Sequence, residues 1–169
     1  MTVTCRALRT VFLCALVSGC SSKADLYRGD PPERGWVSRD IFQTPGYSAF
    51  KAGYDSATVA PQFTQMIGQL KQGIEVTVFF GAWCSDSKRQ VPRFLRIADG
   101  AQMDPAHIHF YALDRTKKSS DGLTERFAID RVPTFIFIKD GKEVGRITEE
   151  PKNTLEADML TILAEAQRR

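Results

Sequence analysis

Cysteine is scarce in this chain and badly distributed for cross-linking: of four, Cys5, Cys14 and Cys20 fall in the first twenty residues and only Cys84 lies beyond. Histidine is scarcer, with His107 and His109 alone. No third metal-ligating residue stands at a suggestive spacing from that pair, and both read as strand-edge residues rather than half of a metal site. No glycine-rich phosphate loop, nucleophile elbow, internal repeat or low-complexity tract is present. No apolar run approaches the ~20 residues of a membrane-spanning helix. These absences point away from a disulfide scaffold, a metalloenzyme, a nucleotide enzyme, a serine hydrolase and an integral membrane protein, and no cofactor is expected.

The first nineteen residues carry Arg6 and Arg9 without an acid, then the apolar run Val11 to Val17, then Ser18 and Gly19 before Cys20. That order is the layout of a signal peptide. Val17-Ser18-Gly19-Cys20 resembles a bacterial lipobox, which implies cleavage before Cys20, lipidation of Cys20 and an extracytoplasmic, membrane-tethered protein. Ser21 at the following position implies the periplasmic face of the outer membrane in a two-membraned host. The competing reading is an ordinary secretory signal with a chance cysteine.

Cleavage changes the charge. The chain has 23 basic and 20 acidic residues, a net charge of +3, and losing Arg6 and Arg9 leaves 21 against 20, or +1. A nearly neutral domain gives no electrostatic reason for nucleic acid or anionic lipid as a partner. Cleavage and lipidation would also leave Cys84 as the single thiol, so no internal disulfide forms in the mature protein. A lone thiol in an oxidising compartment marks a candidate reactive site.

Residues 20–46, rich in proline, glycine and charge from Lys23 onward, read as a tether after the lipidated cysteine, with Trp36, Ile41 and Phe42 hinting that part of it docks. Residues 47–169 read as one α/β domain. Phe63, Met66, Ile67 and Leu70 follow helical spacing, with Ser56 or Thr58 as caps and Pro61 in the first turn. Ile74 to Phe80 is β-branched and aromatic, and runs into Gly81-Ala82-Trp83-Cys84. Val91, Phe94, Leu95 and Ala98 share a helical face, with a kink expected at Pro92. Ile108 to Leu113 and Thr134 to Ile138 read as strands, separated by a short helix marked by Leu123 and Phe127. Asp140-Gly141 then turns into a strand from Val144 to Thr148. Asn153 with Glu156 marks the cap of a last helix. The order predicts parallel crossovers followed by an antiparallel hairpin: a mixed central sheet with helices on both faces.

From about Tyr47 onward these residues resemble the thioredoxin superfamily. The resemblance rests on the strand leading into Trp83-Cys84, on Lys88 and Pro92, and on Val132-Pro133-Thr134 opening the next-to-last strand. It implies a cis Pro133 facing Cys84, and a platform of Trp83, Val132 and Pro133 that receives an extended substrate. A cysteine at the start of a helix meets unpaired N–H groups and the positive end of the helix dipole, which favour the thiolate, the nucleophile of disulfide exchange.

The departures from that family are specific. Cys84-Ser85-Asp86-Ser87 puts a hydroxyl where the resolving thiol belongs, so a mixed disulfide on Cys84 must be released by an external thiol. Ser87 either donates a hydrogen bond to the Cys84 thiolate or serves only as an early helix residue. Val78 and Phe110 occupy the family's buried acid and lysine positions. Asp86 suits the helix dipole but opposes the thiolate. Glu149 replaces the family's rim glycine, either gating the site or ending a strand in solvent. The string from Gly81 to Phe94, with Asp114-Arg115 and Gly145-Arg146-Ile147, resembles a bacterial group with a Trp-Cys-x-Asp-Ser signature. Arg115, Lys117 and Lys118 read as a solvated basic loop. Two functions are thus expected to compete. One is monothiol exchange by Cys84 on exported protein or small-molecule disulfides, with an external thiol reductant. The other is a non-catalytic peptide- or partner-binding module.

Overall fold

The computed structural model describes residues 34–168. The expected signal peptide, Cys20 and residues 20–33 of the expected tether lie outside the described residues. A five-stranded sheet in the order β1-β3-β2-β4-β5 carries the fold, with β1 Gly35–Val37, β2 Ile74–Phe80, β3 Ile108–Ala112, β4 Thr134–Lys139 and β5 Lys142–Thr148. The helices are α1 Ser48–Ser56, α2 Pro61–Leu70, α3 Ser85–Gly100, α4 Leu123–Arg126 and α5 Leu155–Gln167.

β2 and β3 are parallel, as the crossover through α3 requires. β4 corrects the expectation of a second parallel crossover: it lies antiparallel to β2, with Val78 opposite Phe135. Side-chain periodicity reports burial and carries no strand direction, so the sequence was silent there. β4 and β5 form the expected hairpin, with Asp140 at φ 52° and Gly141 at φ 72°, the left-handed pair of a type I′ turn. β5 begins at Lys142, two residues before the expected Val144.

Alternation along the strands divides the apolar residues between two faces. Ile74, Val76, Val78 and Phe80 of β2 face one core, which α1, α2, α3 and α5 cover with Phe50, Ile67, Phe94, Ile97, Leu155, Met159 and Leu163. Phe79, Tyr111, Leu113, Ile129, Val132 and Ile136 form a second cluster on the opposite face, flanked by Leu123 and Phe127 around α4. Among the described residues helices therefore lie on both faces, four on one and one on the other.

The boundary at residue 46 is corrected. β1 pairs with β3 through Trp36 and Tyr111, and Phe42, in a 3₁₀ turn over Arg39–Gln43, is only 2% exposed. Arg39 makes two hydrogen bonds to Asp99 near the end of α3, and the Tyr54 hydroxyl donates a third at 2.6 Å. Burial pushes the Asp99 carboxyl up, but those hydrogen bonds and the Arg39 charge outweigh it and hold it below the usual carboxylate value. The segment from residue 35 onward is folded domain.

The expected caps also shift. α2 starts after Ala60, with Pro61 at its first position and no side-chain cap from Ser56 or Thr58. α5 is capped by Thr154, whose hydroxyl accepts from Ala157 N–H at 3.2 Å, while Asn153 bonds to the Asp158 carboxylate. α3 spans Ser85 to Gly100 through Pro92, which packs beneath α1 at Gly53, where an added Cβ would lie 3.0 Å from the proline ring.

Candidate active site

Buried β2 ends at Phe80, and the turn Gly81-Ala82-Trp83 carries the chain to Cys84, the residue that caps α3. Gly81 is required by close approach: an added Cβ would stand 2.7 Å from the Trp83 indole. The indole N–H donates to Leu113 C=O at 2.9 Å, and the Arg115 guanidinium lies 5.1 Å over the ring. Arg115 is exposed, as the solvated-loop reading expects, and in addition makes a cation–π contact with the site's indole.

Cys84 is half-buried and unpaired. Its thiol donates to the carbonyl of Val132 at 3.2 Å, and the Val132–Pro133 peptide bond is cis. The structure therefore brings together Trp83, Cys84, Val132 and Pro133. Val78 and Phe110 lie opposite each other in the parallel β2–β3 register, each no more than 2% exposed, so the sheet beneath the site is apolar at both positions.

Ser87 is fully buried, and its hydroxyl oxygen accepts from Gly81 N–H at 3.2 Å. Its hydrogen bond goes to the turn before Cys84 and not to the sulfur. Asp86 meets Arg89 at 2.8 Å within the first turns of α3. Arg89 also contacts Glu150, whose other oxygen accepts from Gln90 at 3.2 Å.

Glu149 is not a solvated strand end. Its backbone adopts φ 57°, in the left-handed region where glycine is at ease, and its N–H donates to Pro133 C=O at 2.7 Å. Its carboxylate pairs with Arg131 at 2.8 Å, and that hydrogen bond and charge hold the guanidinium above its ordinary value. Glu149 and Glu150 thereby link the proline loop to the start of α3. Sequence reasoning missed Arg131, Arg89 and Glu150 as rim residues. Their one signal was charge complementarity at long separation, which pattern reading cannot pair.

Both histidines are expected at a strand edge; His109 is on β3 against Trp36, whereas His107 lies in a 3₁₀ turn just before that strand. Among the described residues no three His, Cys, Asp or Glu side chains are grouped to hold a metal ion.

A strand-turn-helix with a half-buried cysteine beside a cis-proline loop is matched in known proteins. The thioredoxin family model covers residues 56–161. The chain belongs to the thioredoxin family. Thioredoxin H-type 1 of Nicotiana tabacum is 31% identical over 101 residues, 57% of this chain and 75% of that one. A thioredoxin-like protein of Acanthamoeba polyphaga mimivirus is 26% identical over 98 residues, 58% of this chain and 69% of that one. In shape, a Pseudomonas aeruginosa protein of unknown function superposes with a TM-score of 0.52 at 15% identity, covering 72% of this chain and 83% of that one, a likeness of fold alone. The general chemistry of thioredoxins is thiol–disulfide exchange. β1 and the 3₁₀ turn over Arg39–Gln43 lie before the stretch that the family model covers.

Proposed function

We propose that this thioredoxin-family protein carries out monothiol disulfide exchange at the cell envelope, with Cys84 as nucleophile. The observation that carries the reading is the placement of Cys84: a half-buried cysteine at the N-terminus of α3, following Trp83 and bonded to the Val132 carbonyl beside the cis proline. The thiol proton, held toward Val132 C=O, leaves to solvent, because Val78 and Phe110 offer no carrier beneath it. The thiolate attacks one sulfur of a disulfide R–S–S–R′, that S–S bond breaks, and R′ departs as a thiolate that takes up a proton from water. Cys84–S–S–R remains. An external thiol then attacks the Cys84-linked disulfide, restores the cysteine and carries R away as a new disulfide. Ser87, turned toward Gly81, takes no part in the transfer and holds the turn that presents Cys84. Trp83, Val132 and Pro133 form the platform. Asp86 and Glu149 neutralise Arg89 and Arg131 at its rim.

The lipobox-like Val17-Ser18-Gly19-Cys20 supports tethering by lipidated Cys20 outside the cytoplasm, with exported thiols and disulfides as substrates. Incubation with glutathione disulfide tests the chemistry. Wild type should accumulate a glutathione adduct on Cys84 that persists until a thiol is added, seen by intact mass, while Cys84→Ser forms none. Ser87→Cys should convert the adduct into an internal disulfide. A wild-type chain that stays unmodified would sink the proposal.

A second reading, partner binding without exchange, draws on the same Cys84–Val132 hydrogen bond, which ties the thiol to the backbone of the proline loop. It requires a Cys84→Ser strain to keep the wild-type phenotype.

A further inference from the structure

The chain joins the domain at the rim of the candidate site. β1 runs antiparallel to β3 with Gly35 opposite Ala112, and β3 runs parallel to β2 with Ala112 opposite Phe80. Gly35, Ala112 and Phe80 thus form one row across the sheet, four residues short of Cys84. Arg34, just before that row, pairs with Asp114 at 2.7 Å. Both neighbours of Asp114 touch Trp83: Leu113 through its carbonyl and Arg115 through its guanidinium.

The other terminus of the domain lies at the far end. Ile74, the first residue of β2, stands opposite Lys139, whose ammonium donates to Ala166 C=O at 2.8 Å near the end of α5. The Gln167 amide donates to the carbonyls of Leu70 and Gln72, just before β2. The two ends of the domain are separated by the seven residues of β2, about 20 Å at ~3.3 Å per residue.

Residues 20 to 34 are fourteen peptide steps apart. Whatever their conformation, these steps span no more than about 50 Å at ~3.5 Å each. We infer that a Cys20 anchor, attached through the chain at this end, keeps Cys84 nearer the bilayer than the C-terminal end of α5, so that the exchange partner is a disulfide presented at the membrane surface. The inference rests on the exchange and anchoring readings above. It adds an orientation: the site is on the membrane side, and the C-terminal end of α5 faces away.

The test compares two anchors on phosphatidylcholine vesicles. One chain is held by lipidated Cys20. The other begins at residue 20 as Cys20→Ser and is held through a fourteen-residue spacer and a histidine run after Arg169 on a nickel-chelating lipid. With a donor fluorophore on Cys84 and an acceptor on lipid headgroups, moving the anchor should abolish most of the energy transfer. Equal transfer from both overturns the orientation. With unlabelled protein and a pyridyl-disulfide phospholipid in the vesicles, the C-terminal anchor should slow exchange at Cys84 roughly tenfold or more through lost effective concentration. Equal rates overturn the membrane-proximal partner. Failure of both chains to react with soluble glutathione disulfide defeats the exchange reading, and the energy-transfer comparison still decides the orientation. Absence of Cys20-dependent palmitate incorporation overturns the proposal at its anchor.

Discussion

Glu149 carries a backbone conformation that its residue type resists. At φ 57° a non-glycine residue costs about 1 kcal/mol or more. Its pairing with Arg131, which is 63% exposed, is screened by solvent and returns little. Glu149→Gly should therefore leave stability unchanged or raise it by about 0.5 kcal/mol in urea unfolding, while alkylation of Cys84 speeds up. A clear loss of stability would show that the Arg131 pair contributes more than an exposed bridge should. Ser87 teaches a related lesson about reading. Its spacing from Cys84 was legible, but its partner, Gly81 N–H, depends on how tightly the turn before α3 closes.

β1 and the 3₁₀ turn behind it are the elements that the sequence concealed. Three strand residues among prolines, glycines and charges offer no periodicity to detect, and Trp36, Ile41 and Phe42 hint at docking without showing a strand. In the fold the Phe42 ring lies 5.3 Å from Phe50 and Phe80 and 5.1 Å from Phe110. Phe42→Ala should cost about 3–5 kcal/mol, the range for an aromatic removed from a packed core. A cost below about 1 kcal/mol would restore the tether reading. α1 escaped notice for a similar reason: Phe50 is its one buried residue, too few to set a helical period. The elements around Cys84 were legible because each combines a long apolar pattern with a punctuating residue. β2 stops just before Gly81, β4 opens after Pro133, and the hairpin turns on Asp140-Gly141. The cap at Thr154 rather than Asn153 was not separable, since both side chains can cap and only the backbone angles choose.

Among the described residues the helices are shared unequally between the sheet faces, four against one, and Cys84 and Trp83 pack against the cluster on the thinner side. That side is closed by α4, a single turn of four residues, bounded by Gly122 at φ 72° and Ala128 at φ 51°. Regions with few buried partners open locally at free energies well below that of global unfolding. Amide hydrogen exchange should therefore show Leu123–Phe127 losing protection long before β2 or α3. Uniform protection across all five helices would contradict this. If Leu123–Phe127 opens first, the surroundings of Cys84 breathe with α4 while the scaffold holding it stays closed, and the reach of the thiol is set by the opening rate of one short helical turn.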